Sequence, residues 1–174
     1  MATTTLRARA GVAAAGAVLR IGLIAGTLDI GENLIFNAFR HITPMRIFQY
    51  IASGLTGPWA FHAGMASVAL GVGMHYSIAL FWTEVYRAAS GRWGVLVRRP
   101  VVCGLVYGGV VYLAMNFVVL PLTRVPHSTA AASVASRVSG VLALLFCVGV
   151  TVAVLTARAK RENAGPSTRA ARSG

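Results

Sequence analysis

Residues 138–157 run VSGVLALLFCVGVTVAVLTA, a stretch of about twenty positions without a charged side chain. An α-helix needs about 20 predominantly apolar residues to cross the hydrocarbon core of a bilayer. Three further stretches of similar character lie at about 18–39, 60–86 and 101–121. The sequence therefore predicts an all-α, polytopic membrane protein, with four transmembrane helices in one integral membrane domain, 1–174.

The composition of the whole chain agrees with this interpretation. Of its 174 residues, 56% are hydrophobic and 11% are charged, and the mean hydropathy is +0.69, whereas about 25% of a soluble domain is charged. The net charge of +12 could indicate nucleic acid, but the basic residues cluster in tails and loops rather than on a face that fits a groove. We expect the lipid bilayer as partner and no nucleic acid, with a homo-oligomer or a partner membrane subunit as alternatives.

The basic residues are divided unevenly between the segments outside the apolar stretches. Eleven Lys and Arg side chains lie in the N-terminal segment, in loop 87–100 and in the tail 158–174, against four in loops 40–58 and 122–137. Because cytoplasmic loops carry the excess of Lys and Arg, we predict a multi-pass protein of the bacterial cytoplasmic (inner) membrane with both termini in the cytoplasm. The low-complexity tail is expected to be disordered.

The start of the chain has a second interpretation, as a signal peptide. Arg7 and Arg9 provide a basic start, and Ala-Gly-Ala at 15–17 resembles a cleavage site. The apolar run before this site is shorter than such a peptide needs. We therefore expect an uncleaved first helix, with Arg20 reaching back to the membrane interface.

A short helix is predicted at about 44–53, between the first two crossings. Thr43 is a suitable N-cap, and Pro44 suits the first helical position. The apolar positions at helical spacing are Met45, Phe48, Ile51, Ala52 and Leu55, and the polar ones are Arg46, Gln49 and Ser53. Since the segment is too short to cross, we expect an interfacial amphipathic helix on the outer leaflet, with its polar side toward water.

Small residues mark helix faces that can approach a neighbour closely. One stripe on the second crossing is formed by Gly64, Ser67, Gly71 and His75, and the third crossing carries a Gly-x-x-x-Gly pair at 104–108. A similar pair at 22–26 lies 82 residues earlier, and Pro44 matches Pro126 at the same offset. These matches favour a tandem two-helix repeat; the alternative is coincidence among common membrane residues.

The Gly-Leu-x-x-Gly crossing followed by a Pro-containing loop, present at 22–26 and again at 104–108, resembles the YagU-like group of small bacterial inner-membrane proteins. The stretches 33–50 and 75–82 are also similar to a group of short, uncharacterised bacterial membrane proteins. The resemblance implies a four-helix inner-membrane protein. It supplies no catalytic residues.

Polar side chains inside the apolar stretches are candidates for function, because an ionisable group at bilayer depth costs about 2.5–3.5 kcal/mol on insertion scales. Asp29 and Glu32 lie one turn apart on the first crossing, with Asn33 beside them, and His75 lies midway along the second. At 1.5 Å per residue, Asp29, Glu32 and His75 come about 14–18 Å from the cytoplasmic side, and Asn116 of the third crossing about 24 Å. The sequence thus predicts an intramembrane polar site formed by these five residues.

Two interpretations of this site remain open. A carboxylate–imidazole group could relay a proton or hold a cation, since histidine titrates near neutral pH. Alternatively, the polar groups bond one another only to fix the helix bundle. The sequence does not decide between them, because it does not show whether water reaches the site.

Other reactive side chains have simpler interpretations. Three histidines fall at the external ends of the crossings, at His41, His62 and His127, without the spacing of a metal site. Cys103 and Cys147 are expected to fill apolar space. Glu84 is expected to pair with Arg87 near the cytoplasmic end of the second crossing.

The chain contains no P-loop, dinucleotide fingerprint, H-E-x-x-H or serine elbow. We therefore expect no cofactor, no metal and, on balance, no enzyme. The leading hypothesis is a transport or ion- or proton-conducting subunit. The alternatives are a structural or accessory membrane subunit without a ligand, and an intramembrane enzyme that acts on lipid.

The predicted topology can be tested with reporter fusions. Fusions after residues 95 and 165 should report the cytoplasm and a fusion after residue 130 the outside, because the basic loops stay inside. A periplasmic signal from the fusion at 165 would contradict four crossings.

Overall fold

The computed structural model describes the backbone of residues 2–126 and 133–170 and the side chains of residues 11–126 and 133–162. The described residues form six helices and no β-strand. Helix α1 spans Ala2–Ala38, α2 Pro44–Thr56, α3 Gly64–Arg92 and α4 Val95–Arg98. Helix α5 spans Pro100–Leu122 and α6 spans 134–170, and each contains a π-helical segment, at Met115–Val119 and at Ala143–Val150.

Four of these helices are long and apolar enough to cross a membrane: Gly11–Ala38, Gly64–Arg92, Pro100–Leu122 and Val134–Glu162. Large apolar side chains cover the outside of the bundle, and Val106 and Phe117 are 64% and 72% exposed. A water-soluble protein rarely exposes apolar surface on this scale, whereas lipid accommodates it. The predicted all-α polytopic fold is thus confirmed.

The crossings meet at glycines. On α1, an added Cβ at Gly26 would lie 3.0 Å from Cβ of Ala79 on α3. On α5, an added Cβ at Gly104 would lie 2.8 Å from the carbonyl oxygen of Gly149, and one at Gly108 only 2.6 Å from Cα of Leu145, both on α6. Each Gly-x-x-x-Gly pair therefore packs against the next crossing along the chain. The tandem repeat stays a prediction that this similarity favours.

Helix α2 forms as predicted, with Arg46 exposed and Ala52 buried as expected, but four other positions differ from the predicted faces. Thr43 caps it by accepting a hydrogen bond from the Arg46 N–H, and Pro44 is its first residue. Gln49 and Ser53, expected on the outer polar side, are buried, whereas Met45 and Leu55 of the expected apolar face are exposed. The reason is that α2 packs against the first turns of α3, where Gly71 meets the Phe48 backbone, so its small and polar side faces protein.

Two loops are shorter than the sequence suggested. The expected basic loop 87–100 holds the end of α3 and all of α4. Ser133 caps α6 by accepting from the Ser136 N–H, so this helix begins at Val134 rather than near 138. Helix α6 extends to Ala170, and the disorder of the tail stays a prediction.

The π-helical segments lie in the middle of the bundle. In α5 the segment Met115–Val119 ends two residues before Pro121, which lacks an N–H and crowds the carbonyl four residues before it. In α6 the longer segment Ala143–Val150 includes Gly149, which contacts α5. Such segments widen a helix locally and frequently occur at functional sites.

Six buried side chains pack as an apolar cluster toward the Arg20 end of the bundle, which we call the apolar plug: Ile21, Ala25, Tyr86, Val148, Val152 and Ala153. All six side chains are less than 10% exposed. The plug joins α1, α3 and α6 on the side of Arg20.

The contact between α2 and α3 gives a test of the packing. Gly71→Ala should lower the free energy of unfolding by about 1–3 kcal/mol, because its Cβ would lie 2.7 Å from the Phe48 carbonyl carbon. Gly73→Ala is the matched control, since no atom lies within 4 Å of an added Cβ there. Thermal unfolding in detergent micelles measures both, and equal midpoints for the two variants would contradict the contact.

Candidate functional site

The site predicted from the sequence lies on the wall of a cavity inside the bundle, which we call the inner cavity. Its volume is about 290 Å³, and Asp29, Glu32 and Asn33 of α1 face His75 of α3 across it. Most of the remaining wall is apolar and comes from α2, α3, both π-helical segments and the residues after α5. The structure thus brings four of the five predicted residues to one space.

His75 is held against α1 by a hydrogen bond. Its Nε2 lies 2.8 Å from the carbonyl oxygen of Gly26, and the ring stacks edge-on against Tyr76. Because a carbonyl only accepts, Nε2 carries the proton in this bond. In the neutral form of the ring, this leaves the lone pair on Nδ1.

Glu32 is bonded to the fourth crossing. The hydroxyl of Ser139 on α6 donates to its Oε1 over 2.5 Å. This hydrogen bond links α1 to α6 on the side of the apolar plug that is farther from Arg20. Ser139 was not identified from the sequence. The fourth crossing was predicted to begin at residue 138, so the helix face on which Ser139 lies was not defined.

Asp29 is the carboxylate without a hydrogen-bond donor among the described residues. It lies one turn before Glu32, and its charged neighbours are His75 and Glu32. The thiol of Cys147 on α6 lies near both carboxylates, Asp29 and Glu32. Asp29 thus presents to the inner cavity an acid without a hydrogen bond, whereas Glu32 and His75 each form one.

A second, larger space adjoins the inner cavity, and we call it the outer cavity. Its volume is about 650 Å³, and it shares Asn33, Tyr50 and Gly140 with the inner cavity. Its other polar residues are Asn37, Arg40, Arg46, Asn116, Ser136 and Ser139. Asn116 therefore lies apart from Asp29 and His75, and its amide donates to the Tyr112 carbonyl of its own helix over 2.9 Å.

The remaining candidates lie outside both cavities. His41 and His62 are exposed, and His127 falls outside the described residues. Within the described part of the chain, no three His, Cys, Asp or Glu side chains gather as metal ligands would. Glu84 accepts two hydrogen bonds from Arg87 at a partly exposed position, which is the predicted surface pair.

Comparisons with protein-family models, with curated proteins and with solved structures find no match to this chain. The resemblance to the YagU-like group therefore stays a prediction. The site is interpreted from its geometry alone.

The bond between Ser139 and Glu32 can be tested by stability. Ser139→Ala should lower the free energy of unfolding by about 0.5–2 kcal/mol, the range for hydrogen bonds between membrane helices. Ser77→Ala is the matched control, because that hydroxyl donates to Gly73 within its own helix. In a double-mutant cycle with Glu32→Gln, the combined loss should be smaller than the sum of the single losses. Additive losses would show that the two side chains do not interact.

Proposed function

We propose that this integral membrane protein is a transport protein that exchanges a proton for a small cation at Asp29, next to Glu32 and His75. The observation that carries the proposal is a carboxylate at bilayer depth that faces a cavity and has no hydrogen-bond donor among the described residues. Ionisable residues inside membrane helices mark ion and proton pathways when they face a cavity.

The charges of the inner cavity favour a positively charged ligand. Its wall holds two carboxylates and one imidazole, and none of its residues is Lys or Arg. Two ionised carboxylates in apolar surroundings are costly unless protons or a cation neutralise them. Binding of a cation would therefore release a proton, and Nδ1 of His75 is the nearby acceptor.

The arrangement supports a carrier rather than an open channel. The inner cavity adjoins the outer cavity on one side, and the buried apolar plug packs on the side toward Arg20. A carrier exposes its site to one side at a time, whereas a channel needs a continuous path. With the topology predicted from the basic loops, the site faces outward in this structure.

An accessory, structural role is the second candidate, and a separate observation favours it. His75 and Glu32 already form bonds between helices, to Gly26 and to Ser139. These bonds would fix the bundle without any ligand. Asp29 distinguishes the two roles, because it takes part in neither bond.

A lipid-acting enzyme has less support. The hydroxyl of Ser139 donates to a carboxylate, that of Thr123 donates to the Leu120 carbonyl, and His75 donates to a backbone carbonyl. A nucleophilic serine needs a base that accepts its proton and a set of donors for the oxyanion.

We place the protein in the bacterial inner membrane with both termini in the cytoplasm, on the strength of the basic loops.

Transport can be measured in liposomes loaded with a pH-sensitive dye. Under an imposed gradient of Na⁺, K⁺ or tetraethylammonium, the wild-type protein should change the internal pH. Asp29→Asn should reduce this flux to that of protein-free liposomes, because it removes the exchanging acid. Glu84→Gln is the matched control, since it neutralises the carboxylate of the surface pair.

The outcome separates the two candidates. Loss of flux in Asp29→Asn with an unchanged unfolding temperature supports the carrier. Absence of flux in the wild-type protein under all three gradients would contradict it. Equal flux in the wild-type and Asp29→Asn proteins would also contradict it.

A further inference from the structure

Two arginines line the outer cavity, and each is held by an uncharged neighbour. Nη1 of Arg40 donates to the hydroxyl of Ser136 over 2.7 Å, and the guanidinium carbon of Arg46 lies 4.2 Å from the centre of the Phe61 ring. Stacking on a ring leaves the in-plane N–H donors of a guanidinium free. The two cations are thus positioned without being neutralised.

No acidic side chain lines the outer cavity, although Glu32 of the inner cavity contacts its wall through the hydrogen bond from Ser139. Its polar wall consists of amides, hydroxyls and the two arginines, and no Asp or Glu is among its residues. The ion pair of the described chain, Glu84 with Arg87, lies on α3, which contributes no residue to the outer cavity. The outer cavity therefore has the opposite charge from the inner cavity.

The position of Arg46 makes the excess of charge more telling. Arg40 follows the C-terminal end of α1, where a positive charge is favourable by itself. Arg46, however, is the third residue of α2, and the first turn of that helix contains no acid. A cation at a helix N-terminus is unfavourable, so both Arg46 and the helix end favour a nearby anion.

Apolar side chains complete the wall of the outer cavity, at Phe36, Ile42, Ile47 and Phe61. Its volume of about 650 Å³ exceeds what an inorganic anion alone would fill. Apolar walls beside a pair of guanidinium groups match a molecule with one charged end and one apolar end. Guanidinium groups bind phosphate and carboxylate oxygens through paired hydrogen bonds.

We infer that Arg40 and Arg46 bind an oxyanion group of the phosphate type in the outer cavity. The group belongs either to the headgroup of a membrane lipid or to a soluble anion. This binding site is separate from the proposed cation exchange, because neither arginine lines the inner cavity. Either proposal can therefore fail while the other stands.

Native mass spectrometry of the full-length protein, titrated with phosphatidylglycerol in detergent, tests the inference. Arg40→Gln and Arg46→Gln should each weaken lipid binding about tenfold, the effect of losing one charge-assisted hydrogen-bonded contact. Arg137→Gln is the matched control, because Arg137 is exposed next to Ser136 and does not line the cavity. Diacylglycerol, which has the same chains without the phosphate, should bind much more weakly.

A competition experiment distinguishes the two sources of the anion. If excess inorganic phosphate displaces phosphatidylglycerol, the site binds soluble oxyanions; if it does not, the site requires a lipid headgroup. Both results support the inference. Equal weakening by Arg137→Gln, equal binding of diacylglycerol, or unchanged binding in Arg40→Gln and Arg46→Gln would overturn it.

A second pair of variants covers the case in which the glutamine variants do not fold. Arg40→Lys and Arg46→Lys keep the charge but lose the paired, planar donors, and each should weaken binding about threefold. Thermal unfolding shows which variants are folded. Unchanged binding in both folded lysine variants would overturn the role of the guanidinium groups.

Discussion

Close approach of neighbouring helices at glycines is the constraint on which the rest of this bundle depends. Inside a membrane, lipid tails are as apolar as leucine, so helices associate mainly through close packing and hydrogen bonds between them. Gly26 shows how the two are linked. Because it has no side chain, α3 lies close enough for His75 to reach the Gly26 carbonyl. A single position thus sets both the packing of α1 on α3 and the orientation of the imidazole.

The fold could be predicted from the sequence because its strongest signals are local. Length and hydropathy define the four crossings, and Thr43 with Pro44 defines the start of α2. The faces of α2 could not be predicted in the same way. An amphipathic pattern indicates which side is polar, and in water that side faces outward. In this bundle the relation holds only in part, because Gln49 and Ser53 are buried against protein and Leu55 is exposed, whereas Ala52 is buried.

For the candidate site, the sequence could predict how deep each residue lies in the membrane. Asp29, Glu32 and His75 lie at one level because the rise of a helix is constant, and the structure places them on one cavity. Rotation about the helix axis is not given by depth. For that reason Asn116 lies in the neighbouring cavity, and Ser139 was not identified. The position of Ser139 depends on the Ser133 cap, which starts α6 one turn earlier than the apolar pattern alone indicates.

The π-helical segment Ala143–Val150 determines the direction in which the two halves of α6 point. In a straight α-helix successive side chains turn by about 100°, so Ser139 and Val148, nine positions apart, would point in nearly opposite directions. Both nevertheless meet α1. Ser139 donates to Glu32 of that helix, and Val148 packs in the apolar plug with Ile21 of the same helix. The wider turns between them change the angle by which the helix rotates. One helix can therefore offer the same neighbour a hydroxyl at one level and a methyl-covered surface at the next, without a break in the chain.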